Sequence, residues 1–173
     1  MDDLKLKIRT IPDYPKPGIQ FRDITTLLAD PQAFSDVMER FVKRYQDEQI
    51  DLVVGIESRG FILGAPLALR LGKGFIPVRK EGKLPGPTYG VDYDLEYGTD
   101  RVEVHKDAIP IGSRVLMVDD LLATGGTIGG SSRLIEKAGG IIVGYAFLIE
   151  LVDLKGRNNL DHPIFSLVNF EGE

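Results

Sequence analysis

Apolar residues recur at Phe34, Val37, Met38, Phe41, Val42 and Tyr45, a spacing of three and four that lays them on one stripe of a helix. Asp30-Pro31 stands in front of it: an aspartate to cap free N-H groups, then a proline whose fixed φ suits a first turn. That stripe is core. Beyond it the period changes. Leu52-Val53-Val54-Gly55-Ile56 is an unbroken apolar run and predicts a buried strand. Residues 60–71 follow as a helix that Gly72 closes, and Phe75-Ile76-Pro77-Val78 as the next strand. Val115-Leu116-Met117-Val118 predicts a third buried strand, ending at Asp119-Asp120. A helix through Ile128, Leu134, Ile135 and Ala138 comes next, stopped by Gly139-Gly140, and 141–148 is a further strand. Strands alternating with helices predict an α/β fold: a central, mostly parallel twisted sheet with right-handed crossovers, flanked by helices. In such a sheet ligands collect beyond the carboxyl ends of the strands, where Glu57-Ser58-Arg59-Gly60, Arg79-Lys80 and Asp119-Asp120 all fall.

Composition narrows the picture. At 173 residues and 43% hydrophobic, the chain is expected to form a single domain, 1–173, around one core. With no cysteine there is no disulfide, no thiolate nucleophile and no cysteine zinc site. His105 and His162 are far apart in sequence and read as surface residues, so no metal ligands are expected from the chain. Met1-Asp2-Asp3-Leu4-Lys5 has neither the basic nor the apolar part of an export signal. The longest apolar run, 141–151, is interrupted by Gly144 and Glu150. A cytoplasmic protein without membrane or nucleic-acid partners is expected, the latter because the net charge is -5. Within that acidic total the positive charges cluster: Arg79, Lys80 and Lys83 lie in one short stretch and Arg59 in another loop.

The chemistry is concentrated between Asp119 and Thr127. A strand, a glycine-threonine loop and a helix N-terminus in that order bring unpaired backbone N-H groups and the positive end of a helix dipole together. Gly125 and Gly126 admit close approach of an anion, and Thr124 and Thr127 add hydroxyl donors. A Walker A loop would need a lysine before its final Ser/Thr, and a dinucleotide fingerprint would need G-x-G-x-x-G; neither is present. Instead two carboxylates stand immediately upstream, suited to accept hydrogen bonds from the vicinal hydroxyls of a ribose whose 5′-phosphate sits in the loop. Gly-Gly alone would be an ordinary turn, and 57–60 alone an ordinary strand-to-helix turn. The stretch 80–99, rich in Gly, Pro and Tyr without clear periodicity, reads as a lid.

In the form Asp119-Asp120-Leu121-Leu122-Ala123-Thr124-Gly125-Gly126-Thr127 the loop resembles the phosphoribosyl-diphosphate signature of the type I phosphoribosyltransferases, in particular of members that act on adenine. The resemblance runs from about 11 to 170. It implies that fold, with a small hood at about 1–30 and a flexible catalytic loop at about 80–99. It assigns Asp119 and Asp120 to the ribose hydroxyls, and Ala123, Thr124, Gly125, Gly126 and Thr127 to the 5′-phosphate. Glu57, Ser58, Arg59 and Gly60 match its diphosphate loop, which can carry a non-proline cis peptide; one is expected at Glu57-Ser58 or Ser58-Arg59. Arg79, Lys80 and Lys83 belong to a matching Arg79-Lys80-Glu81-Gly82-Lys83-Leu84-Pro85 stretch beside the diphosphate. Tyr93-Asp94-Leu95-Glu96-Tyr97-Gly98 matches a second, which makes Glu96 the proton-exchanging group at purine N7 and Tyr97 the residue that closes over the donor.

Pro15-Lys16-Pro17-Gly18-Ile19-Gln20-Phe21-Arg22-Asp23-Ile24 resembles the hood segment, placing adenine near Gln20, Phe21 and Arg22 and beneath Leu154. By composition Phe21 is a core residue, and Glu96 is one loop carboxylate among many. Relatives that use 6-oxopurines carry an aspartate base at the position of Ala123, so the base must lie elsewhere here. The implied reaction is purine salvage: ribose 5-phosphate passes from phosphoribosyl diphosphate to adenine N9, giving AMP and diphosphate. Mg²⁺, carried on substrate oxygens and water, and Arg59 would stabilise the departing charge. A homodimer is implied as well. The rivals are transfer to another purine, which Ala123 opposes, and a regulatory sensor of the same sugar donor, for which no basic helix-turn-helix is visible.

Overall fold

The computed structural model describes residues 3–95 and 98–172. Two short helices, α1 (Asp3–Leu6) and α2 (Thr25–Leu28), bracket a two-stranded antiparallel ladder of β1 (Arg9–Pro12) and β2 (Gln20–Asp23). Then come α3 (Pro31–Tyr45), β3 (Leu52–Ile56), α4 (Arg59–Leu71), β4 (Gly74–Lys80), β5 (Thr88–Asp94) and β6 (Thr99–His105). They are followed by β7 (Arg114–Leu122), α5 (Gly126–Lys137), β8 (Ile141–Leu151) and β9 (Ile164–Phe170). Seven strands form the main sheet in the order β5-β6-β4-β3-β7-β8-β9. Neighbours from β4 to β9 run parallel, while β6 joins β4 and β5 antiparallel. The expected α/β architecture is what forms.

Local chemistry explains the boundaries. Asp30 accepts hydrogen bonds from Gln32 N (3.0 Å) and Ala33 N (3.2 Å), capping α3 with Pro31 in its first turn. Gly72 ends α4 in the left-handed region at φ 67°. The sheet separates two cores, and β7 feeds both: Leu116 and Val118 face the α3 and α4 side, while Val115, Met117 and Leu122 face α5. No helix among the described residues is long and apolar enough to cross a membrane.

Two expectations change. The third buried strand does not end at Asp119; β7 runs on to Leu122 because the long β8 keeps pairing with it, Asp119 with Phe147 and Leu122 with Glu150. Nor is the stretch after Lys80 irregular throughout: Thr88–Asp94 forms β5. Tyr89, Val91 and Tyr93 alternate with Gly90, Asp92 and Asp94, and that two-residue period, hidden by the Gly and Pro around it, lays the apolar set against α5. The helix makes room for it: a Cβ at Gly130 would fall 2.6 Å from Tyr93 Cβ, so close packing explains this glycine in the first turns of α5.

Candidate active site

The carboxyl ends of β3 and β7 lie side by side in the parallel sheet and open into one cavity of about 420 Å³. One wall is Glu57, Ser58 and Arg59; another is Lys80; the floor and far wall are the run from Asp119 to Ile128. After β3 the chain turns through a cis Glu57-Ser58 peptide, one of the two bonds expected to be cis, and enters α4. Gly60 lets α4 approach β7: a Cβ there would stand 2.8 Å from the Val118 carbonyl oxygen and 3.0 Å from Asp119 Oδ1. Gly125 is the cap residue of α5, in the left-handed region at φ 85°. The first N-H groups of that helix have no partner within it, and Thr124 to Ile128, where they start, line the cavity.

Charge in the cavity is arranged as pairs. Asp120 is buried, and its Oδ2 lies 2.7 Å from Arg59 Nε without the alignment of a hydrogen bond. Burial pushes both aspartic acids up, Asp119 furthest because the Asp120 charge adds to it, while Arg59 works in the opposite direction. Two carboxyl groups poised to gain from hydroxyl donors face the cavity. Glu57 accepts from Lys80 N (2.7 Å) and Arg79 Nη2 (3.3 Å), with Lys83 Nζ at 3.8 Å. Burial opposes its charge, yet these partners hold it below the ordinary glutamate value. Burial likewise disfavours the Lys80 ammonium, but Asp100 and the Tyr93 hydroxyl bond to it and raise its pKa.

The loops thus bring together Glu57, Ser58, Arg59, Lys80, Asp119, Asp120, Ala123, Thr124, Gly125, Gly126 and Thr127. Arg79 and Lys83 stand behind Glu57 rather than on the cavity wall. Phe21 reaches the edge of the site, with the Arg59 guanidinium 5.5 Å from its ring centroid and Tyr14 packed edge-on. Gln20 sits in the β1-β2 ladder opposite Pro12. Arg22 turns away, its guanidinium 4.1 Å from the Phe170 ring and bonded to Thr10 Oγ1. Leu154 is exposed on a 3-10 turn. Glu96 and Tyr97 lie outside the described residues. Sequence reasoning missed Tyr93 and Asp100, which anchor Lys80, and Asn159, whose Nδ2 donates to Thr124 O at 2.7 Å. The alternation of 89–94 was the available signal for Tyr93; Asn159 carried none.

Residues 23–169 match the family described as phosphoribosyl transferase domain. An adenine phosphoribosyltransferase of Chloroflexus aurantiacus is 60% identical over 169 residues, covering 97% of this chain and 98% of the relative. The chain belongs to the adenine phosphoribosyltransferases. The adenine phosphoribosyltransferase structure from Thermoanaerobacter pseudethanolicus superposes with a TM-score of 0.94 at 54% identity, covering 96% of this chain and 98% of that one. The yeast enzyme, solved with D-2,5-dideoxy-2,5-imino-altritol 1,6-bisphosphate and adenine, gives 0.89 at 42% identity over 94% of this chain and 95% of its own. As an adenine phosphoribosyltransferase, the protein converts adenine and phosphoribosyl diphosphate into AMP and diphosphate, a purine salvage reaction.

Proposed function

We propose that the cavity between Ser58 and Thr127 holds the sugar donor and that the reaction runs across it. The observation that carries this reading is the convergence of the Asp119 to Thr127 run with Glu57, Ser58 and Arg59 around one space of about 420 Å³. Asp119 and Asp120 accept hydrogen bonds from the ribose hydroxyls. The 5′-phosphate lies in the Ala123, Thr124, Gly125, Gly126, Thr127 loop, on the helix N-terminus. Ser58, Arg59 and the Gly60 backbone hold the diphosphate, with Glu57 keeping Arg79, Lys80 and Lys83 arrayed behind it.

As the C1′-O bond to diphosphate breaks, positive charge builds on the sugar and negative charge on the leaving group. Arg59, contributed by α4 and drawn to Asp120 in the free enzyme, is placed to take up that negative charge. Adenine N9 forms the new bond to C1′, and the proton at N7 passes to Glu96. Ala123 has no proton to exchange, which is why that role goes to Glu96. Adenine packs on Phe21 beside Gln20 and the backbone of Arg22, under Leu154, and Tyr97 closes over the donor to keep water from the sugar cation. Glu57, Asp119 and Asp120 bring carboxyl oxygens to the cavity, a chemistry that suits a hard cation, but Arg59 and Lys80 share the wall and Asp120 Oδ2 is paired with Arg59, so the described residues themselves offer no full set of ligands. Mg²⁺, if carried on the donor's own oxygens and water, would be held by the residues that hold the donor and would supply charge neutralisation at the diphosphate.

The working unit proposed is a homodimer of single-domain chains. Ile62 and Leu69, seven residues apart on one face of α4, are 43% and 80% exposed and give a second copy an apolar strip to cover. The compartment is the cytoplasm, where a multiply charged donor that does not cross membranes unaided is made. Diphosphate release measured in parallel with adenine, hypoxanthine, guanine and xanthine tests the acceptor: release with adenine alone is expected. Release with none would favour a sensor of the donor.

A further inference from the structure

We infer that Asn159, held by the Glu150-Arg157 ion pair, is a positioning residue that sets the phosphate loop for the donor. The inference rests on the reading of Ala123 to Thr127 as the 5′-phosphate site. After β8 the chain makes two 3-10 turns, Val152–Leu154 and Gly156–Asn159, joined at Lys155. The second turn lies against the outer side of the loop. Asn159 Nδ2 donates to the Thr124 carbonyl at 2.7 Å. Backbone meets backbone beside it: a Cβ at Gly156 would overlap the Ala123 carbonyl oxygen, and one at Gly125 would lie 2.9 Å from Gly156 O.

This turn is fastened to the sheet rather than left on the surface. Arg157 donates through Nε and Nη2 to the two oxygens of Glu150, at 2.5 and 2.6 Å, and the Ser166 hydroxyl donates to the same carboxylate at 2.7 Å. Glu150 is 4% exposed and pairs in register with Leu122, the last residue of β7 before the loop. The geometry of β7, β8 and β9 is therefore passed through a planar, two-bonded ion pair to Asn159. A loop that binds a phosphate must keep its carbonyl oxygens off the anion. Drawing the Thr124 carbonyl outward onto Asn159 leaves the N-H groups at the start of α5 as what the phosphate meets.

The test separates donor from acceptor. Asn159→Ala should raise the KM for phosphoribosyl diphosphate about three- to tenfold, the loss of one hydrogen bond, with kcat, the adenine KM and Tm near their wild-type values. Arg157→Lys, which keeps the charge but not the two-bonded geometry, should reproduce the donor effect. Thr127→Ala serves as the reference for the phosphate site itself. A donor KM unchanged in Asn159→Ala but raised in Thr127→Ala would overturn the positioning role and leave the phosphate site standing. No change in either would overturn both. A uniform loss of kcat, both KM values and Tm in Asn159→Ala would make it a structural residue only and equally refute the inference.

Discussion

Gly60→Ala puts the shared wall of the site under the sharpest test. The new Cβ would stand 2.8 Å from Val118 O, 3.0 Å from Asp119 Oδ1 and 3.3 Å from Asp119 Cα. Comfortable contacts begin near 3.5 Å, so α4 must retreat from β7 by roughly 0.5 Å. Its neighbour is the backbone of a core strand, which cannot swing aside like a side chain. Overpacking of this kind costs about 1–3 kcal/mol, against a gain of about 1 kcal/mol for alanine over glycine in a helix. A net loss of up to about 2 kcal/mol lowers Tm by up to roughly 4–8 °C in a chain of this size. Because α4 carries Arg59 and β7 carries Asp119, the same shift should cost about tenfold in kcat/KM. Gly129→Ala is the control: its Cβ meets nothing nearer than Asn159 O at 4.0 Å, so helix propensity should leave Tm equal or slightly raised. Scanning calorimetry and steady-state kinetics on both variants decide the matter. Wild-type Tm and turnover in Gly60→Ala, or equal shifts in the two variants, would refute the close-approach argument.

Arg59→Ala should lower turnover by about 10²-fold by removing the cation nearest the departing diphosphate; a wild-type rate would return Arg59 to a structural pairing with Asp120. The N-terminal β1-β2 ladder predicts an acid dependence. Hydrogen bonds from Arg9 and Thr25 hold the Asp23 carboxyl at about 2 against an ordinary 3.8. A depressed carboxylate stabilises the fold above its unfolded pKa, and that contribution is lost as pH falls from 3.8 toward 2. The Tm gap between wild type and Asp23→Asn should accordingly be full at pH 5 and close by pH 2; a gap that stays constant would rule the mechanism out.

What was legible in the sequence was whatever depends on a short-range period or on a few adjacent residues. The stripe from Phe34 to Tyr45, its Asp30 cap and the Gly72 stop fixed α3 and α4, because caps and helical spacing are local. The Asp119 to Thr127 run pointed to a sugar phosphate because its chemistry is contiguous. What escaped was set by partners distant in sequence. β7 runs through both aspartates only because β8 is long enough to pair with it, and Asn159 reaches Thr124 across 35 residues. In 88–94 the alternation was present, but glycines and prolines nearby suggested a loop. The strand became visible only with α5 packed against it through Gly130. Ala123 worked in the opposite sense: a residue without polar chemistry pointed to adenine only through the family resemblance, and no period or spacing around it could have done so.

The central claim is that Asp119 and Asp120 hold the donor's ribose, and isothermal calorimetry with phosphoribosyl diphosphate on Asp119→Asn and Asp120→Asn tests it directly. Hydrogen bonds are worth about 0.5–1.5 kcal/mol to a neutral group and about 1.5–3 kcal/mol to a charged one, so donor binding should weaken about three- to tenfold in Asp119→Asn and about tenfold in Asp120→Asn, which faces the Arg59 charge. Asp119→Asn should meanwhile lose no stability, since burial and the Asp120 charge both disfavour its ionised form. Donor affinity unaltered in both variants would contradict the assignment.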